Sequence, residues 1–147
     1  MSLRGKPTVL GAVLVVMVFV VFYVYERRGP NADSHKFNEI QKLWASISQY
    51  PGMVEVDHYS NSAGRKASLG SKFRSDAKYE EVKRFYIAGL QQQGWMFQRE
   101  RMLSNWGRNQ GGRELEWTKD EYTFSVEFAG ASGFEWDYAI GIDWYGK

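Results

Sequence analysis

Residues 122–128 read Tyr-Thr-Phe-Ser-Val-Glu-Phe, and residues 138–144 read Tyr-Ala-Ile-Gly-Ile-Asp-Trp. Tyr122, Phe124, Val126 and Phe128 alternate with Thr123, Ser125 and Glu127. Tyr138, Ile140, Ile142 and Trp144 alternate with Ala139, Gly141 and Asp143. Neighbouring side chains of a strand point to opposite faces, so this strict period of two predicts a sheet with one buried face. Upstream, Lys119-Asp120-Glu121 reads as a tight turn and Glu114 to Lys119 as the strand before it. Asn105 to Gly112 is a glycine-rich turn, and Trp95 to Leu103 is a further strand. The C-terminal third is thus all strand and turn.

Two helices and one more hairpin precede it. Tyr79, Val82, Phe85, Tyr86 and Leu90 form the stripe of a helix over residues 76–93, with Ser75 or Asp76 as cap. Glu80 and Glu81 lie near its positive end, and Gly94 is the natural stop. Phe37, Ile40, Trp44 and Ile47 recur at spacings of three and four, one face of a helix capped by Asp33 or Ser34 and ended by Tyr50-Pro51-Gly52. Met53 to Tyr59 reads as a strand, 60–65 as a turn, and Lys66 to Arg74 as the return strand. The order α-β-β-α-β-β-β-β, with short connections, predicts an α+β domain: an antiparallel sheet packed against one or two helices.

Thr8 to Tyr25 (TVLGAVLVVMVFVVFYVY) is an uncharged apolar run of 18 residues. As a helix it would span roughly 27 Å, close to the roughly 30 Å of a bilayer core. A cleaved signal peptide should have a shorter apolar stretch and a small-residue cleavage site, and Glu26-Arg27-Arg28-Gly29-Pro30 is a poor one. A buried core helix should not be apolar on every face. The run therefore predicts a single transmembrane helix, its lipid-facing residues including Val9, Val16, Phe19 and Phe22, with Tyr23 and Tyr25 at the headgroup layer. The expected organisation is a head at 1–7, a transmembrane helix at 8–25, a linker at 26–33 and an α+β domain at 34–147. Arg4 and Lys6 before the run balance Arg27 and Arg28 after it. The short head favours a C-terminal domain that is periplasmic or otherwise extracytoplasmic.

Residues 29–147 carry fifteen Lys/Arg and sixteen Asp/Glu. A near-neutral domain lacks the basic surface that neutralises phosphates, which argues against a nucleic-acid partner. The chain has no Cys, so disulfides, thiolate metal sites and a lipidated cysteine are excluded.

No catalytic constellation stands out. His35 and His58 lack ligand partners at metal spacing, and Asp57 and His58 should point to opposite faces of a strand. Glu114 with Glu116, and Glu55 with Asp57, read as wet faces of amphipathic strands. The loop from Asn105 to Arg113 could cradle an anion but joins two strands rather than opening a helix. We therefore expect no enzyme, no cofactor and no metal. The informative residues are aromatics in turns, Trp106 beside Arg108, and Phe134 with Trp136, which either fold back onto the core, the commoner fate, or project as anchors for a partner or the membrane interface.

Tyr50-Pro51-Gly52, the helix Tyr79-Glu80-Glu81-Val82-Lys83-Arg84-Phe85-Tyr86 to Leu90, Gly94-Trp95, and Trp106-Gly107-Arg108 with Gly111-Gly112 carry a resemblance. Over about residues 50–144 the chain resembles small extracytoplasmic domains of uncharacterised bacterial membrane-anchored proteins and lipoproteins. The resemblance implies a bacterial source and an α+β fold, and brings no catalytic residues. The expected function is a non-catalytic accessory or structural subunit of a larger bacterial membrane protein complex, such as a photosynthetic reaction centre or respiratory assembly. Its partners would be other membrane subunits and the lipid bilayer. The alternative is a tethered binding module for a small ligand, lipid or envelope component.

Overall fold

The computed structural model describes residues 32–105, 107–131 and 133–146. Among them the chain forms α1 (Ala32–Ser46), β1 (Val54–Ala63), β2 (Lys66–Arg74), α2 (Tyr79–Gln92), β3 (Met96–Asn105), β4 (Arg108–Lys119), β5 (Tyr122–Phe128) and β6 (Tyr138–Tyr145). The strands make one sheet in the order β1-β2-β6-β5-β4-β3, with every neighbouring pair antiparallel.

This corrects the fold class expected above, a transmembrane helix followed by an α+β domain. The observed architecture is a six-stranded antiparallel sheet with two helices, and among the described residues no helix is long and apolar enough to cross a membrane. The helices have 15 and 14 residues and carry Glu, Lys and Gln along their length, whereas a span needs about 20 mostly apolar residues. The run at 8–25, including Val9, Val16, Phe19, Phe22, Tyr23 and Tyr25, lies outside the described residues, as do the head and linker residues 26–31.

Paired residues on neighbouring strands share a face. Phe73, Tyr138 and Phe128 form one such row; Leu69, Ile142, Phe124 and Trp117 form another. Both helices pack on this face. Val82, Tyr86 and Leu90 of α2 and Ile40 of α1 are buried there. Phe124 is fully buried, its ring centroid 5.6 Å from Tyr86, 5.8 Å from Trp95 and 5.8 Å from Trp117. Such aromatic pairs contribute about 0.5–1.5 kcal/mol each beyond the area they bury.

Polar clamps hold both helices at the rim of this core. Lys83 of α2 lies 2.5 Å from the Glu100 carboxylate of β3, and the Tyr79 hydroxyl donates to it at 2.8 Å. In α1, Lys36 pairs with Glu39 at 2.9 Å and with Glu121 at the β4–β5 turn, while the Tyr122 hydroxyl donates to Glu39. The Trp144 indole N–H donates to Glu121 at 2.6 Å.

Helix α2 begins at Tyr79, later than the expected residue 76, with Lys78 at the cap and no side-chain bond. Ser75 instead accepts from the Ala77 N–H at 3.1 Å. Gly94 takes φ +81°, as a helix-ending glycine should.

Replacing Phe124 with Ala removes the ring shared by three aromatic neighbours. We expect a loss of about 3–5 kcal/mol in urea unfolding, against under 1 kcal/mol for the half-exposed Phe97→Leu.

Candidate functional site

The opposite face of the sheet carries no helix among the described residues, and the chain covers it with its own side chains. Tyr59 of β1 stands opposite Gly70 of β2, which stands opposite Gly141 of β6. A Cβ at either glycine would collide with the far end of the Tyr59 ring, so the ring lies across β2 as far as β6. Glycine inside a strand commonly marks such a close approach. Burial, then the charges of Asp143 and Glu127, pushes the Tyr59 hydroxyl up to about 12.

The acids of this face fall into two groups. Those on the outer strands are paired: Asp57 with Lys72 at 2.8 Å, Glu116 with Arg99 at 2.8 Å, and Glu114 with Arg101. Glu127 of β5 and Asp143 of β6 have no hydrogen bond or ion pair among the described residues. Both carboxyls are held above the usual carboxylate range. Burial is the main cause for each, Glu114 directly opposite adds to it for Glu127, and Arg101 and Lys66 respectively oppose it.

Above Glu127 sits the β5–β6 connection. The Ala129 N–H donates to the Asp137 carbonyl at 2.9 Å, and the Ala131 N–H to the Gln110 carbonyl at 2.8 Å. The Asp137 N–H reaches the Phe73 carbonyl at 2.9 Å, and the Asp137 carboxylate accepts from the Ser75 N–H at 3.0 Å. Gly130, at φ +64°, is pressed against the backbone of Gln110 to Gly112, where a Cβ would not fit. The loop is therefore tied to β2 and β4 at its base. It presents Phe134 stacked on Trp136, with centroids 5.0 Å apart and planes 8° from parallel.

Trp136 forms a wall of two surface cavities. One, of about 240 Å³, is lined by Phe134, Trp136, Phe128, Leu103, Gln110 and Glu127, among others. The second, of about 230 Å³, is lined by Val56 and Asp57 of β1 with Lys72, Glu135 and Trp136. Two smaller cavities lie beside the helices, one of about 60 Å³ between α1 and the sheet at Trp44 and Phe73, and one of about 130 Å³ between α2 and the segment at Ile47 and Ser48. These fall well below the roughly 300–1,000 Å³ of sites for drug-sized ligands.

Of the four residues expected to contact a partner, Phe134 and Trp136 come together in this stack. Arg108 is exposed at the β3–β4 hairpin, away from the cavity lining, and Trp106 lies outside the described residues. The expected glycine-rich turn at 105–112 is mostly ladder, since β4 starts at Arg108. Arg113 donates to Glu100 at 3.2 Å and lies over the Tyr79 ring, so it is not free for an anion.

Two carboxylate readings change. A register shift between Glu55 and Asp57 separates that pair, with Glu55 opposite Phe73 and Asp57 opposite Lys72. Glu114 is only 7 % exposed, so it is not on a wet face. His35 and His58 side chains are 73 % and 78 % exposed, beside Glu39 and Glu55 respectively. No cluster of three metal-ligating side chains occurs among the described residues. Sequence reasoning missed Tyr59, Glu127 and Asp143. The signal available was Gly70 and Gly141, glycines inside otherwise regular strands.

No family model matches the chain, and no match was found among curated proteins or solved structures.

An acid whose folded pKa lies above its unfolded value weakens the fold as pH rises through that window. Glu127→Gln should therefore stabilise the domain at pH 7 by on the order of 1 kcal/mol, with the gain vanishing below the ordinary carboxylate pKa. Thermal unfolding of both proteins from pH 3 to pH 8 measures it.

Proposed function

We propose that the chain is a non-catalytic accessory subunit, docking onto a larger bacterial membrane protein complex through strand β1 and the helix-free face beside it. The observation that carries this is the state of β1. All ten of its residues are exposed, it lies at the sheet edge, and it contains no Lys, Arg or Pro. A sheet edge offers unpaired backbone N–H and C=O groups to another strand. Val54 and Val56 are 63 % and 48 % exposed, and Val56 opens onto the cavity walled by Trp136. An added strand would gain main-chain hydrogen bonds along β1 and a Trp-lined recess for one of its side chains.

The test is gentle extraction from the source cells, then native electrophoresis and mass spectrometry of the band holding this chain. Migration in a stoichiometric complex is expected. The double substitution Val54→Lys with Val56→Lys should release the chain while leaving its thermal unfolding within about 1 kcal/mol, since both residues are exposed. Migration of the unmodified chain alone, near its own 17.0 kDa, would overturn the reading.

A further inference from the structure

We propose that the cavity between Phe134, Trp136 and Glu127 receives a cationic side chain, Arg or Lys, of the docked partner. The inference rests on the docking reading above and adds what the surface selects.

Charge is the first argument. Among the described residues Glu127 is the only charged one in the lining of this cavity. Its carboxylate is part-buried, faces Glu114 across the ladder, and has no bonded partner among the described residues. Arg101 eases the local negative potential, yet its Nε is committed to Glu114. Asp143 adds further negative charge from β6. A carboxylate withdrawn from water without a counter-ion costs the fold stability, and an incoming cation would restore what desolvation removed.

The second argument is the wall opposite. Phe134 and Trp136 stack and both line the cavity, with Phe128 beside them. Aromatic faces attract cations, tryptophan most strongly, and Arg guanidinium groups stack on such surfaces. An aromatic wall facing one unpaired carboxylate fits the flat apolar surfaces and charged rim of a guanidinium, or the stem and head of a lysine.

Size is the third. About 240 Å³ accommodates a side chain and is small for a cofactor. In the neighbouring cavity across Trp136, Asp57 is paired with Lys72 and Glu135 is exposed to solvent, so neither carboxylate is withdrawn from water as Glu127 is. A partner strand lying on β1 would pass that cavity first. Trp136 is thus shared between the recess at the edge and the cationic pocket.

The probe is the peptide acetyl-Gly-Arg-Gly-amide, titrated while the Trp136 indole N–H is followed by NMR. Its controls are the citrulline peptide, which keeps the shape of Arg without the charge, and free agmatine. A saturable shift with the Arg peptide, at least tenfold weaker with citrulline, is expected. Glu127→Gln should lose at least tenfold in affinity although it is the more stable protein, so unfolding cannot account for the loss. Phe134→Ala, at an exposed position, should weaken binding several-fold. Affinity should fall as pH drops through the raised Glu127 pKa. Agmatine carries the same guanidinium and should compete with the Arg peptide; equal binding of Arg and citrulline peptides, unchanged binding by Glu127→Gln, or no competition by agmatine would each overturn the proposal.

The two readings fail separately. A complex that survives Glu127→Gln but not the two β1 lysines leaves docking intact and removes the pocket. Arg-peptide binding by a chain that migrates alone does the reverse.

Discussion

The rings of Tyr86, Trp95 and Trp117 meet at Phe124, and this contact ties α2 to the middle of the sheet. The remaining organisation follows from it. Two helices of 14 and 15 residues can cover one face of a six-stranded sheet and no more. With the large apolar side chains of β4, β5 and β6 committed to that side, the alternate positions of the same strands must meet solvent or a partner. Those positions hold Thr123, Ser125, Glu127, Ala139, Gly141 and Asp143. A sheet with one helical layer therefore has a second face whose chemistry is free to serve something other than the core.

The chain covers that second face only in part. Tyr59 bridges two glycines, and cross-strand ion pairs cover the outer strands. Exposed ion pairs contribute little, about 0–1 kcal/mol each, so their main effect is to keep outer carboxylates neutralised. The two acids left unpaired, Glu127 and Asp143, sit on the central strands, where neighbouring side chains shield them most from water. Polar residues placed where desolvation is greatest and partners are absent weaken a fold that gains nothing else from them. Functional sites concentrate such local conflicts.

Period-two patterning made β5 and β6 legible, because the large apolar residues from Tyr122 to Phe128 and from Tyr138 to Trp144 all face the helices. The β3–β4 hairpin was harder. Gly107, Gly111 and Gly112 suggested a long turn, yet Gly111 and Gly112 lie within β4, where Gly112 meets Leu103 and the backbone of Phe128 and Ala129. Composition cannot distinguish a glycine that bends a chain from one that lets another segment come close. The bulge between Glu55 and Asp57 was equally invisible, since one extra residue flips every later side chain without altering local hydropathy. Nothing in the local sequence sets Glu127 apart, because its isolation depends on three strands and a loop at once. Phe134 and Trp136 were the exception. Two aromatics in a Gly-Phe-Glu-Trp-Asp turn stand out against any background of turn residues, although their mutual stacking was not predictable.

The two edges of the sheet are treated differently, and this bears on what kind of assembly the fold permits. Strand β3 places Arg99, Glu100 and Arg101 in a row and is broken by register shifts after Phe97 and after Met102. Charge and irregularity both discourage strand addition there. Strand β1 has one irregularity, near its start, and then runs in register from Asp57 to Ala63. A subunit with two open edges would propagate into a filament, because each addition would present a new edge. A subunit with one open edge stops after a single partner, whether a second copy or another protein. The asymmetry between β1 and β3 therefore favours a closed assembly. Of the two Trp136 cavities, the one at Val56 lies against β1, whereas the one at Glu127 is bounded by β3, β4 and β5, so a partner on the permissive edge would meet the first directly and reach the selective chemistry only across Trp136.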